Sequence, residues 1–135
     1  MLRMFGLFNF LEGNLCGSME FDALCDFLEE KPGAYRDMPF GADALVFKAL
    51  HRMFALVAWQ ADPLTVSLKA DPIDAVILRK QYEAVKPGYH MNKKHWITVT
   101  LNGSLPDEEL YKLIDESYHL VVRGMTRADK RRLER

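Results

Sequence analysis

The chain has few cysteines, and their spacing suggests neither a cross-linked framework nor a metal site. Only Cys16 and Cys25 occur among its 135 residues, and they do not form a CxxC pair. This pattern excludes the disulfide scaffold of a small secreted domain and does not predict zinc binding. Cys25 falls on an apolar helical stripe, so we interpret it as a core residue. A reducing, cytoplasmic location is the expectation that fits this cysteine usage.

The chain also lacks a long apolar run. A membrane-spanning helix needs about 20 consecutive apolar residues, whereas the apolar stretch at residues 1–11 is interrupted by Arg3 and Asn9 and closed by Glu12. No small-residue cleavage site follows it. We therefore treat residues 1–18 as an added or upstream segment and residues 19–135 as one domain. We expect no membrane association, and a monomer as the default state.

A large net charge is missing as well. The formal net charge is −1, so no global electrostatic field favours nucleic acid or membranes. The charges are nevertheless uneven, because residues 69–96 carry six basic and three acidic side chains, and residues 12–43 carry two basic and eight acidic ones. The sequence therefore predicts a dipolar molecule.

Motifs for enzyme chemistry are absent from the sequence. It contains no glycine-rich phosphate loop, no nucleophile elbow and no local Cys–His signature. His90 and His95 are five residues apart with no nearby carboxylate or thiol, which does not suggest a metal site. The sequence thus favours a non-enzymatic protein without a cofactor or metal.

Periodicity predicts an α+β domain with a single antiparallel sheet covered by helices. Helices are expected at 19–30 and from 106 onward, where apolar residues recur every three or four positions. A helix is also expected at 71–82, because Asp71 suits an N-cap and Pro72 the first helical position. Short apolar runs separated by turn residues indicate strands, at 44–48, 53–59, 64–69 and 97–101. The order is α-β-β-β-α-β-α, with residues 33–41 and 85–88 interpreted as turns. Along 64–69, Val66 and Leu68 should face the core while Ser67 and Lys69 face water.

Three sequence segments together resemble the MmcQ/YjbR-like family. They are DMPFGAD at 37–43 leading into LVFK at 45–48, VSLK at 66–69 with Asp71-Pro72, and KPGYHMNKKHW at 86–96. LNGSLPD at 101–107 and DESY at 115–118 complete the pattern. The resemblance covers about residues 19–128. It implies a curved antiparallel sheet similar to that of type III secretion chaperones. It also implies DNA binding through a "double-wing" sheet arrangement, although the family has no established biochemical activity.

Residues 86–96, which we call the basic segment, are the candidate binding site. Lysines that contact phosphates, next to rings that stack on bases, are typical of nucleic-acid binding. Together with Lys69 on a nearby strand, the candidate DNA-binding residues are Lys69, Lys86, Tyr89, His90, Asn92, Lys93, Lys94, His95 and Trp96.

The same segment has a structural interpretation. Trp96 would then be a core ring at the start of a strand, Tyr89 would cover the sheet, and His90 and Asn92 would bond to loop backbone. Two other functions also stay open at this point. One is a protein- or peptide-binding module of chaperone-like fold, and the other is a small-molecule pocket protein.

Overall fold

The computed structural model describes residues 20–89 and 91–134, so the predicted extension at 1–18 and His90 lie outside the described residues. The described chain contains four helices and six strands. In chain order these are α1 (Phe21–Glu29), β1 (Ala34–Asp37), β2 (Leu45–Ala49), β3 (Arg52–Ala58), β4 (Thr65–Lys69), α2 (Pro72–Gln81), β5 (Val85–Pro87), β6 (Trp96–Thr100), α3 (Asp107–Arg123) and α4 (Arg127–Leu133).

All six strands form one antiparallel sheet in the order β1-β2-β3-β4-β6-β5. The predicted α+β class and the single antiparallel sheet are confirmed. The three strands predicted between residues 44 and 69 are consecutive neighbours. Their connections are too short for a parallel arrangement, because a parallel pair needs a crossover of a dozen or more residues.

Two strands were missed, since both were interpreted as turns. β1 lies within the segment 33–41, and β5 lies within 85–88. Both are short edge strands that pair with one neighbour only. Neither therefore has to carry the apolar pattern by which a buried strand is recognised in a sequence. Pro87 is tolerated in β5 because an edge strand can do without one ladder hydrogen bond.

The described helices pack against one face of the sheet. That face is formed by buried residues that the antiparallel register places opposite one another across the strands, including Phe47, Ala55, Leu68 and Ile97. α1 contributes Leu24, Cys25 and Leu28 to this core, and α3 contributes Leu110, Ile114 and Val121. The predicted core role of Cys25 is confirmed.

A β-bulge in β3 sets the position of α3. Phe47 lies opposite Ala55 and Lys48 lies opposite Met53, which leaves Phe54 as an extra residue on the core side. Its ring meets the ring of Tyr118 edge-on at 5.3 Å. Ser117 of α3 donates its hydroxyl to the Phe54 carbonyl (2.6 Å) and accepts from the Lys69 N–H (2.9 Å). This serine therefore satisfies two backbone groups at the bulge.

The register places Ser67 and Lys69 on the face turned away from the core, as predicted. Ser67 is nevertheless buried, so the expectation that it faces water was wrong. Its hydroxyl hydrogen-bonds the Thr98 hydroxyl at 2.8 Å. β4 is a central strand, and the short serine side chain lies between Leu56 and Thr98 on its two neighbours.

Within the described residues, none of the helices is both long enough and apolar enough to cross a membrane.

Candidate nucleic-acid interface

The basic segment forms the end of β5, a loop and the start of β6. Lys86 lies opposite Thr98 and Pro87 opposite Ile97. Beyond them, the Gly88 N–H donates to the Trp96 carbonyl at 2.9 Å. A Cβ atom at Gly88 would lie 2.7 Å from the Trp96 Cβ atom. The strands can approach this closely only because residue 88 has no side chain.

The loop between these strands is held by its own polar groups. The Asn92 side-chain oxygen accepts from the N–H groups of Lys94 (2.9 Å) and His95 (3.3 Å). The Asn92 carbonyl accepts from the Trp96 N–H at 2.9 Å, and the Lys93 ammonium donates to the Gly88 carbonyl at 3.1 Å. Asn92 thus has the backbone-binding role of the structural interpretation, and Lys93 is partly engaged in the same way.

Other residues of the segment are available at the surface. Lys86 and Lys94 are exposed, and Tyr89 is 70% exposed while its backbone N–H donates to the Thr98 hydroxyl at 3.0 Å. Trp96 is half-buried at the start of β6, directly opposite Lys69. The interface can therefore offer lysines and a tyrosine ring together.

Lys69 and His95 meet at the end of β4. The Ala70 N–H donates to the His95 carbonyl at 2.8 Å, which brings the loop of the basic segment against the start of α2. A cavity of about 280 Å³ opens there, and Arg123 at the end of α3 lines it together with Lys69 and His95.

Antiparallel topology gathers the cations at one end of the sheet. The connections β2–β3, β4–α2 and β5–β6 all lie at this end, because β2, β4 and β5 finish where β3 and β6 begin. The last turn of α3 lies there too, since Arg123 shares the cavity with Lys69. Asp71 is the only acid in the segments 49–52, 69–72, 88–95 and 123–126. The α1–β1 connection and α4 also reach this end, where they add Glu30 and Asp129, the latter 3.5 Å from His51. We call this region the basic end; its lysines and arginines are Arg52, Lys69, Lys93, Lys94 and Arg123.

The opposite end of the sheet carries the other sign. Its connecting segments are residues 38–44, 59–64, 82–84 and 101–109, and none of them contains lysine or arginine. Their acids are Asp43, Asp62, Glu83, Asp107, Glu108 and Glu109. Charge is thus separated along the strands.

The described cysteine, Cys25, is buried in the core. Burial raises the pKa of the Cys25 thiol to about 11, so this core thiol stays protonated and unreactive at neutral pH. Among residues 20–89 and 91–134, no group of three or more His, Cys, Asp and Glu side chains is arranged to hold a metal ion.

Comparison with known proteins identifies the family. The YjbR family model matches residues 29–120. The chain belongs to the YjbR family. It is 38% identical over 115 residues to the uncharacterised Escherichia coli K12 protein YjbR, covering 85% of this chain and 97% of that protein. It is also 44% identical over 55 residues to the uncharacterised Bacillus subtilis protein YyaQ, covering 41% of this chain and 46% of that protein.

Solved structures of similar proteins agree with this fold. A crystal structure of a Deinococcus radiodurans protein superposes with a TM-score of 0.82 at 40% identity, covering 87% of this chain and 90% of that one. A Pseudomonas syringae crystal structure gives a TM-score of 0.67 at 32% identity, covering 76% of this chain and 99% of that one. The resemblance inferred from the sequence motifs is confirmed, and with it the YjbR-type fold.

Sequence reasoning missed two cations of the basic end. Arg52 precedes the second strand of a predicted meander, and Arg123 lies in the long C-terminal helix predicted from residue 106 onward. Neither lies in a motif, and each is more than 25 positions from the basic segment in the chain. Only the pairing of β3 with β4 and the packing of α3 on the sheet bring them to the same end as Lys94.

Proposed function

We propose that this protein binds DNA, with the phosphate backbone lying across the basic end and residues of the basic segment beside it. The separation of cations from acids along the strands is the observation that supports the proposal most. The five lysines and arginines named above outnumber the acids Glu30, Asp71 and Asp129 at this end, which gives a local positive surface of the kind that phosphates require. A nearly neutral chain can therefore still bind a polyanion.

The exposed ring of Tyr89 adds a second element. The ring is 70% exposed, and the Tyr89 backbone N–H donates to Thr98, the residue opposite Lys86, so the ring can contact a sugar or stack on an unpaired base. Thr98 and Ser67 hydroxyls lie on the same face of the sheet. Lys86, Tyr89 and Lys94 are thus the most available of the candidate residues, and Asn92 supports the loop that carries them.

The test is duplex binding measured by fluorescence anisotropy at several salt concentrations. We expect Lys86→Ala with Lys94→Ala to weaken binding to duplex DNA, because both side chains are exposed and neither forms any of the described ion pairs. The slope of log affinity against log salt should become shallower by about two, since each lost phosphate contact contributes about 0.9.

The matched control is Lys80→Ala with Lys112→Ala, which removes the same charge from exposed positions within α2 and α3, outside the connecting segments of the basic end. This variant should keep both the affinity and the slope. Equal losses in the two double variants would mean that binding depends on total charge and not on the basic end. A wild-type protein without salt-sensitive affinity for duplex DNA would contradict the proposal itself.

A further inference from the structure

The cavity at the basic end has a composition suited to one particular ligand group. It occupies about 280 Å³ where the end of β4, the start of α2 and the last turns of α3 meet, several times the roughly 30 Å³ that a water molecule occupies in the liquid. The residues that line it are Lys69, Ala70, Asp71, Pro72, His95, Leu120 and Arg123.

The cations of this cavity are not neutralised by neighbouring side chains. Among the residues that the structure describes, neither Lys69 nor Arg123 takes part in an ion pair. The single acid of the lining is Asp71, and its carboxylate serves another purpose. One of its oxygens caps α2 by accepting from the N–H groups of Ile73 (2.9 Å) and Asp74 (3.4 Å). The cavity therefore keeps an excess of positive charge.

These groups are suited to a phosphate. The arginine guanidinium donates through a planar fork that fits phosphate oxygens, and lysine supplies a compact charge that phosphate sites commonly use. A phosphomonoester carries a charge of about −1.5 to −2 at neutral pH. The two positive charges of Lys69 and Arg123 would balance it. A phosphodiester within a DNA strand carries only one negative charge, so it would balance only part of the positive charge of Lys69 and Arg123.

We infer that the cavity lined by Lys69, His95 and Arg123 binds a phosphomonoester. The inference deepens the proposed function and rests on it where the group is the terminal phosphate of a DNA end. A free nucleoside monophosphate would present the same group. Both sources share the dianionic, singly esterified phosphate that the cavity selects.

The first experiment measures binding of inorganic phosphate and of adenosine monophosphate, by isothermal titration and by amide shifts in NMR spectra. The wild type should bind both probes, with the largest shifts at Ala70 and His95. Arg123→Gln should weaken binding about tenfold or more, because a charge-assisted contact is lost. Arg123 is exposed at the end of α3, so this variant should remain folded.

Two further variants make the test sharper. Asp71→Asn keeps a good helix N-cap but removes the only negative charge of the lining, so it should bind phosphate more tightly than the wild type. Lys80→Gln makes the same charge change as Arg123→Gln at an exposed position in the last turn of α2 that lines neither this cavity nor the adjoining one, and it should bind like the wild type. If Arg123→Gln and Lys80→Gln bind phosphate equally, or if Asp71→Asn binds more weakly, the inference is wrong.

A second experiment separates the two sources of the group. Duplexes of one sequence, with a 5′-phosphate or a 5′-hydroxyl, are compared on the wild type and on Arg123→Gln. A preference for the phosphorylated end that Arg123→Gln abolishes identifies DNA ends as the source. Equal affinity for both duplexes, together with binding of adenosine monophosphate, identifies a free phosphorylated compound.

Failure of this inference and failure of the proposed function give different results. Loss of duplex affinity in Lys86→Ala with Lys94→Ala, without any phosphate binding at the cavity, supports the DNA proposal and overturns the phosphate site. Phosphate binding that depends on Arg123, without duplex binding by the wild type, supports the phosphate site and overturns the DNA proposal.

Discussion

Gly88 determines how closely the two strands of the basic segment approach. Its N–H donates to the Trp96 carbonyl at 2.9 Å, and a Cβ atom there would lie 2.7 Å from the Trp96 Cβ atom and 3.0 Å from the Trp96 carbonyl oxygen. Gly124, at the end of α3, is different. The nearest atom to a Cβ atom at Gly124 would be 3.6 Å away, which is an ordinary contact.

We therefore expect opposite effects of alanine at these two glycines. Gly88→Ala should lower the free energy of unfolding by about 1–3 kcal/mol, because the methyl group overpacks against backbone that must shift. Gly124 has a negative φ of −83°, and there is room for a methyl group at this position. Gly124→Ala should leave the free energy of unfolding unchanged or raise it by about 0.4–1 kcal/mol, because alanine lowers the conformational entropy of the unfolded chain. Urea unfolding measures both, and equal midpoints would contradict the steric argument.

At the scale of elements, an ion pair connects α1 to the edge strand β1. The Arg36 guanidinium donates two hydrogen bonds of 2.8 Å to the Glu29 carboxylate, and it lies 5.8 Å from the centre of the Phe47 ring. These hydrogen bonds hold the pKa of Glu29 below its usual value. Such a two-pronged contact fixes the position of α1 over an edge strand that buries little of its own surface.

We expect Glu29→Gln to reduce stability at neutral pH by at most about 1 kcal/mol, because the pair is largely exposed. The folded pKa of Glu29 is lower than the unfolded one. The stabilisation is therefore present above the unfolded value of about 4.3 and is lost as pH falls through the folded pKa.

The difference between wild type and Glu29→Gln should accordingly shrink as unfolding is measured at progressively more acidic pH. Glu30→Gln, at an exposed neighbouring carboxylate outside the described ion pairs, makes the same charge change and serves as the control. A difference that stays constant with pH would show that the carboxylate charge does not matter.

For the whole molecule, the arrangement of charge matters more than its sum. The chain has a formal net charge of −1 and a calculated isoelectric point of about 6.4. From these two values alone, a cation exchanger would not be expected to retain the protein at neutral pH. The connecting segments at the two ends of the sheet nevertheless carry opposite charges. A charged surface will therefore meet one end of the protein in preference to the other.

We expect the protein to bind phosphocellulose at pH 7 and low salt despite its net negative charge. Arg52→Gln with Lys94→Gln should elute at markedly lower salt, because both side chains lie at the basic end. Lys80→Gln with Lys112→Gln reaches the same net charge and should elute almost like the wild type. Identical elution of the two variants would indicate that retention reflects net charge alone.

Some residues of the candidate site could be predicted from the sequence, and others could be assigned only from the structure. Lys86, Tyr89 and Lys94 were found from the sequence because lysines and rings stand close together in one segment. Arg52 and Arg123 were not found, because strand pairing and helix packing bring them to the site from distant positions. Asn92 was a candidate for binding, yet its side chain is occupied by the backbone of its own loop.

The sequence by itself determined the fold class, the central strands, the core of α1 and the start of α2. These features depend on local patterns: apolar periodicity in α1, apolar runs in the central strands, and Asp71-Pro72 at a helix start. Only the tertiary structure decided the edge strands β1 and β5, the burial of Ser67 and the location of the charged ends. Each depends on which strands become neighbours, and an antiparallel sheet brings together connections that are far apart in the chain.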